Sequence, residues 1–258
     1  MFINLSNHPS NNWCEEQTNA AEKYGEIIDI TCPVMDASID ENQVKTLAES
    51  TVKKINELNP AAIMCTGEFS FCYAAITELK KCGYKVFSTR SENKVINSIA
   101  NGVSQRNITY KFLEFVEYKD YSNLKISKPK SKNDILLNCS WRFQKEKFDA
   151  LAIKESNKIA SKIVDLPLEP IVHLGSINEK EATLKKYVDK INDISPSAII
   201  LDGEFHTWYS MACLLNRIGY KVICKCSNRE AEETMNADGS ISKITNYKFV
   251  RYRTLEKL

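Results

Sequence analysis

Gly67-Glu68-Phe69-Ser70-Phe71-Cys72-Tyr73 returns 136 residues later as Gly203-Glu204-Phe205-His206-Thr207-Trp208-Tyr209. At that offset residues 60–91 and 196–227 share 13 identities in 32 positions, among them Pro60/Pro196, Leu79/Leu215, Gly83-Tyr84-Lys85-Val86/Gly219-Tyr220-Lys221-Val222 and Ser91/Ser227. Average residue usage gives about two. The chain is therefore a tandem duplication, and whatever it folds into must be two copies of one plan. In each copy an apolar run led by proline, Pro60 to Met64 and Pro196 to Leu201, enters the motif, and a helix-period pattern leaves it. A buried strand that exits through glycine into the acidic start of a helix is where open α/β sheets place ligand-binding backbone. A tight turn whose carboxylate only complements a helix dipole satisfies the same pattern.

Taken in order, Phe2 to Leu5 reads as a strand that stops in the polar loop Ser6-Asn7-His8-Pro9-Ser10. A helix is expected from Trp13 to Tyr24, closed by Gly25, then a strand over Glu26–Ile30 and a helix over Glu41–Leu58 with Asp40 as its cap. Ala61 to Cys65 is the third strand, followed by the Gly67 turn and a helix that ends in Lys80, Lys81 and Gly83. Tyr84 to Thr89 is a fourth strand, and Thr109 to Tyr118 alternates as an antiparallel edge after a weaker stretch containing Gly102. The Lys-rich residues 119–133 read as a linker. The second half replays the plan: Ile135 to Ser140 echoes Phe2 to Ser6, Ile163 to Leu166 echoes Ile27 to Ile30, Glu179 to Ile194 replaces the long helix, and Tyr247 to Tyr252 answers Tyr110 to Phe115. The expectation is an α/β protein of two tandem Rossmann-like three-layer domains, residues 1–118 and 134–258, joined as a pseudo-two-fold fused dimer.

With 258 residues and 43% hydrophobic content the chain can bury two ordinary cores. Lys+Arg 35 against Asp+Glu 33 leaves a net charge of +2, too balanced for a protein that grips duplex DNA along its length. A small anionic ligand needs only local charge. The nine cysteines fall mostly in apolar runs, without the paired C-x-x-C spacing of a structural zinc site, and read as buried small hydrophobes in a reducing cytoplasm. No basic region and long apolar core follow Met1, and the apolar runs are strand-length, so neither a signal peptide nor a membrane span is expected.

Four elements in order carry a further likeness: the N-terminal strand and polar loop (Phe2–Ser10), the Gly-acid-Phe-x-x-x-Tyr turn (Gly67–Tyr73), the Gly-x-x-Val strand ending near Arg90 and Ser91, and the aromatic last strand (Tyr110–Tyr118). In these the chain resembles the small CARF-like proteins of type III CRISPR loci, which are ring nucleases or binders of cyclic oligoadenylate. The likeness spans most of residues 1–118 and, more loosely, 135–253. Members of that family work as two-fold homodimers clasping a two-fold symmetric ring, and a tandem duplication supplies both halves in one chain. The resemblance implies metal-independent cleavage, in which a ribose 2′-OH attacks its adjacent phosphate and leaves a 2′,3′-cyclic phosphate; it implies no cofactor and no metal.

Such chemistry needs the 2′-OH held in line and the phosphoryl charge stabilised. The catalytic candidates are His8 and His206 as acid or base and Arg90 and Arg142 as charge stabilisers. Ligand-binding candidates in the first copy are Ser6, Asn7, Ser10, Gly67, Glu68, Phe69, Ser70, Tyr73, Thr89 and Ser91. In the second they are Ser140, Gly203, Glu204, Phe205, Thr207, Tyr209, Ser227 and Arg229. Tyr73 and Tyr209 are candidates for stacking on adenine, and helix N-termini after Ser10 and Gly67 for phosphate. The copies differ: His8-Pro9 becomes Arg142-Phe143, Ser70 becomes His206, and Arg90 aligns with Cys226. A ring nuclease acting on cyclic tetra-adenylate, a non-catalytic protein that binds or sequesters the same ring, and an unrelated nucleotide-processing α/β enzyme are the readings in play. The last lacks G-x-G-x-x-G and G-x-x-x-x-G-K-[ST] in either half.

Overall fold

The computed structural model describes the chain outside residues 101–102, 130–131, 141–144, 174, 236–240 and 256–258, and describes no side chains over 93–110, 147 and 229–247. The chain divides into two compact units, Met1–Pro33 with Ala48–Lys119, and Val34–Leu47 with Asp120–Leu258.

In the first unit β1 (Phe2–Leu5), β2 (Ile27–Ile30), β3 (Ala62–Cys65), β4 (Val86–Ala100) and β5 (Val103–Glu117) form one sheet in the order β2-β1-β3-β4-β5. The first four strands run parallel and β5 returns antiparallel to β4. The order changes direction between β1 and β3. Right-handed crossovers through α1 (Glu15–Glu22) and through α2 (Glu41–Leu58) and α3 (Phe69–Lys81) therefore go to opposite faces. On the α1 face Phe2, Ala62, Met64 and Phe87 pack with Ala21, Trp13, Tyr24 and Phe115.

The second unit repeats this design. Here β6 (Asn133–Asn138), β7 (Lys162–Asp165), β8 (Pro196–Ile200), β9 (Lys221–Met235) and β10 (Ile241–Thr254) are ordered β10-β9-β8-β6-β7, with α4 (Ala150–Asn157), α5 (Ile177–Ile194) and α6 (Phe205–Arg217) between them. Only the β9–β10 pair is antiparallel. The tandem α/β duplication is thus real in three dimensions as well as in sequence.

Three local outcomes differ from the expected elements. The loop after β1 passes through a 3-10 turn at Ser10–Asn12, and α1 starts only at Glu15, because Cys14 takes the extended N-cap conformation. The fourth and fifth strands are 15 residues each, where short strands and a weak stretch were expected. β4 pairs with β3 only at Val86 and Phe87, so its remainder and β5 form a two-stranded ribbon. β9 and β10 do the same. The Lys-rich stretch is also tied down within the second unit. The Arg217 guanidinium donates to the carbonyls of Tyr121, Ser122 and Leu124, Asn192 to that of Ser127, and Lys132 to that of Gly219.

The helix starts are as local chemistry dictates. Asp40 Oδ1 accepts from the Gln43 amide at 2.8 Å while Gln43 Oε1 accepts from the Asp40 amide at 2.9 Å, a reciprocal cap for α2. Ser176 and Glu179 form the equivalent box for α5.

In the second unit Tyr252 joins β10 to α4, its hydroxyl 2.8 Å from Ser156 Oγ. Burial pushes this phenol up to about 12, the Asp149 and Glu155 carboxylates add to the rise, and the Ser156 hydrogen bond opposes it. An unfolded tyrosine titrates near pH 10, so the folded state keeps its proton longer; the stability this confers is complete below about pH 10 and is lost as pH rises through the folded value. Denaturant melts between neutral and strongly alkaline pH should therefore show a loss of stability above about pH 10 that Tyr252→Phe reduces.

Candidate functional site

In each sheet the strand order reverses at one point, between β1 and β3 and between β6 and β8. Ligands of open α/β sheets bind beyond the carboxyl ends of the strands at such a switch point. The loops there are Ser6–Ser10 and Thr66–Glu68 in the first unit, and Cys139 onward and Leu201–Glu204 in the second. Most of the expected site residues therefore stand on these two edges.

The loop after β1 is fixed by two side chains that were not among the sequence candidates, Asn4 and Asp29, together with Ser6 and Ser10. Asn4, 1% exposed, donates through Nδ2 to the His8 carbonyl at 2.8 Å and to Asp29 Oδ1 at 2.6 Å. Ser6 Oγ donates to Asn4 Oδ1 at 2.7 Å and accepts the His8 amide at 3.1 Å. Asp29, at the end of β2, accepts the Ser10 amide at 3.0 Å and its hydroxyl at 2.9 Å. The second unit repeats the clamp: Asn138 donates to Asp165 Oδ1 at 2.7 Å, the Ser140 amide donates to Asn138 Oδ1 at 3.3 Å, and the Lys145 amide donates to both Asp165 oxygens at 3.2 Å. Polar residues inside apolar strands cost free energy unless paired, and here they pair with one another. The readable signal was the double echo of Asn-x-Ser (Asn4/Ser6, Asn138/Ser140) and of the strand aspartate (Asp29, Asp165).

The clamp leaves Asn7 and His8 exposed at the loop tip, whereas the Ser6 and Ser10 hydroxyls and the Ser10 amide are spent inside the loop. No α-helix N-terminus follows Ser10 directly, so phosphate capture by such a helix end is corrected there.

The helix ends after the glycine turns are corrected as well. Glu68 is the N-cap of α3, its Oε2 accepting the Phe71 amide at 2.9 Å and the Ser70 hydroxyl at 2.6 Å. Glu204 caps α6, accepting the His206 and Thr207 amides at 2.7 and 2.9 Å and the Thr207 hydroxyl at 2.6 Å. Each carboxylate occupies the anion position that the helix N-terminus offers. The glycines have separate reasons. A Cβ on Gly67 would stand 2.9 Å from Cys32 Sγ, and Gly203 has φ +143°, which disfavours side chains. Replacing Glu68 by alanine is expected to cost about 1 kcal/mol, and Glu204→Ala about 2 kcal/mol since two amides and a hydroxyl lose their acceptor; thermal melts of the two variants check this order.

Phe69 and Phe205 open the two helices and are half-buried. Ser70, His206 and Thr207 are 4%, 1% and 0% exposed, and Thr207 Oγ1 also accepts the Ile171 amide at 2.9 Å. Tyr73 and Tyr209, at 2% and 3%, are buried, which removes them as open stacking platforms. His206 is likewise withdrawn from solvent, against its expected acid–base role.

On the fourth strand Thr89 is half-buried opposite Phe115, and Ser91 is exposed opposite Phe112. Arg90 between them is ion-paired with Glu114 at 2.7 Å, so its charge is compensated across the ribbon. Leu113 is the extra residue of a bulge at this point, and Val250 makes the same bulge in the second unit, where Cys226 faces Arg251 and half-buried Ser227 faces Phe249. Arg229 lies in β9 opposite Tyr247, with its side chain outside the described residues, and Arg142 lies outside them altogether.

Sequence reasoning passed over Lys225, which takes the place of Thr89 in the second unit. Its ammonium sits 4.3 Å above the Phe148 ring. Burial lowers its pKa, opposed by the carboxylates of Asp202, Asp165 and Asp149. A partly desolvated amine at the carboxyl edge of a sheet is a site candidate that no local motif announces. Within either unit taken alone, the described residues gather no three His, Cys, Asp or Glu ligand atoms closely enough to hold a metal ion. Among them, no helix is long and apolar enough to cross a membrane.

Two five-stranded sheets of one topology, each with a clamped loop at its switch point, define a duplicated α/β protein with one such edge per repeat. The chain belongs to the uncharacterized protein MJ1673 family, whose model matches residues 1–116 and 144–253, one stretch in each repeat. No curated protein matches it.

Proposed function

We propose that the protein binds cyclic oligoadenylate, with cyclic tetra-adenylate as its ring, at the switch-point edges of its two repeats, and cleaves it by metal-independent 2′-OH attack. Such an activity would switch off type III CRISPR signalling. The observation that carries this reading is the repetition of the clamped loop: Asn4, Ser6 and Asp29 in one copy, Asn138, Ser140 and Asp165 in the other. A ring with two-fold symmetry offers two edges the same chemical face. Exposed His8, on a loop whose carbonyl and amide are both fixed, is the acid–base group of the first repeat, and Lys225 is the cation of the second.

In the reaction the 2′-OH loses its proton as its oxygen bonds to phosphorus. The P–O5′ bond breaks, and the departing O5′ takes a proton. A positioned acid or base contributes typically 10²–10⁴-fold to such a step. The test is incubation of metal-free protein with cyclic tetra-adenylate and cyclic hexa-adenylate in EDTA, with products resolved by chromatography. Linear products ending in 2′,3′-cyclic phosphate from the tetra-adenylate are the expected result.

Specific observations favour one second reading, a non-catalytic binder. Glu68 and Glu204 fill the two helix ends, and Arg90 is paired with Glu114, so these three anion-binding candidates are already occupied. Tight binding without turnover in the same experiment would establish it.

A further inference from the structure

Three cysteines of the first repeat converge beneath the Gly67 turn. Cys32 follows β2, Cys65 ends β3 and Cys72 lies in the first turn of α3, at 2%, 0% and 0% exposure. The Cβ position of Gly67 lies 2.9 Å from Cys32 Sγ and 3.5 Å from Cys72 Sγ, so both sulfurs crowd the same side of the turn. The Cys32 thiol points to the carbonyls of Thr66 and Leu5, at 3.4 and 3.5 Å. Its sulfur is left to accept from the Cys72 thiol, which is also hydrogen-bonded to Cys65. Packing alone does not demand thiols here. The corresponding positions of the second repeat are Leu168, Leu201 and Trp208, at 1%, 0% and 0% exposure. The same fold thus fills these places with bulky apolar groups in one copy and with three sulfurs in the other.

We infer that Cys32 and Cys72 are a redox pair that a hydroperoxide converts to a disulfide across the underside of the Gly67–Glu68 turn. Cys32 is the first to react, being the one of the two that is not fully enclosed, at 2% against 0% exposure, whereas burial and its own donated bond hold Cys72 protonated. The Cys32 sulfur attacks one peroxide oxygen, the O–O bond breaks, and the departing hydroxide or alkoxide takes a proton, leaving a sulfenic acid. The Cys72 sulfur then displaces the hydroxyl, which leaves as water with the Cys72 proton. Two thiols have lost two protons and two electrons, and hydrogen peroxide has become two waters. The bond joins the β2 exit to the start of α3 and so fixes the turn that carries the Glu68 cap. This inference does not depend on the ligand proposed above.

The test uses the full chain with exposed Cys14 and Cys82 replaced by serine, which removes the thiols open to intermolecular coupling. After hydrogen peroxide treatment under native conditions, the intact mass falls by two hydrogens and non-reducing peptide mapping joins the Cys32 peptide to the Cys72 peptide. Dithiothreitol reverses both changes. In the Cys72→Ala variant, checked for native circular dichroism, Cys32 is instead trapped as sulfenic acid by dimedone. A link between Cys65 and Cys72, or both Cys32 and Cys72 remaining alkylatable after denaturation of the treated protein, overturns the inference.

Discussion

Replacing Arg253 by methionine will destabilise the protein by about 3 kcal/mol, because three carbonyls lose a charged donor at about 1 kcal/mol or more each. Arg253 is 1% exposed, and its guanidinium donates to the carbonyls of Asp36, Ala37 and Ile39 at 3.3, 3.3 and 3.0 Å. Neighbouring groups on β10 strengthen the attachment: Arg251 pairs with Glu41 at 3.4 Å, and the Thr254 amide donates to Glu41 Oε1 at 3.0 Å. Methionine matches much of the volume but returns no donor, so the carbonyls keep their desolvation cost without their bonds. Hydrogen exchange should show the loss first in residues 34–47, the segment the second unit holds through these contacts. Equal loss of protection throughout the chain would mean that the anchor is only one core residue among many.

Changing His8 to alanine will lower the proposed ring cleavage by roughly 10²–10⁴-fold with little change in binding, the effect of losing a positioned acid or base. His206→Ala will do the opposite. His206 is 1% exposed at the start of α6, so its loss opens a cavity and lowers the melting temperature while the cleavage of the remaining folded protein stays close to wild type. Single-turnover rates beside melts separate the two. A cleavage defect in His206→Ala and none in His8→Ala would move the working group to the second repeat.

Much of the fold was readable because its signals are local or doubled. The apolar strands, the α2 span and the Gly83 and Gly219 helix stops all follow from periodicity and capping, and the repeat of Gly67–Tyr73 at Gly203–Tyr209 fixed the number of units. The two long ribbons were not readable. Residues such as Ser91-Glu92-Asn93-Lys94 carry no apolar alternation, the signal by which a half-buried strand is read from sequence. For the candidate site, sequence pointed to loops that the fold gathers at the switch points, but not to the hydrogen bonds their groups make. Whether Glu68 meets a phosphate or caps its own helix depends on where its side chain turns, and it turns back to the Phe71 amide. Asn4 and Asp29 are 25 residues apart and meet only because β1 and β2 pair in register. Arg90 found its partner Glu114 across a ribbon whose length the sequence did not disclose.

The central proposal is that the clamped loops bind cyclic oligoadenylate, and equilibrium titration tests it most directly. Cyclic tetra-adenylate should be titrated into metal-free wild-type protein and into Asp29→Ala, Asp165→Ala and the double variant, each shown by circular dichroism to be folded. The account predicts that wild type binds one ring per chain, that each single change weakens binding by about 10-fold or more through loss of a charged hydrogen-bond acceptor, and that the double change abolishes measurable binding. Failure of the wild type to bind the ring, or unchanged affinity in the folded double variant, would contradict it.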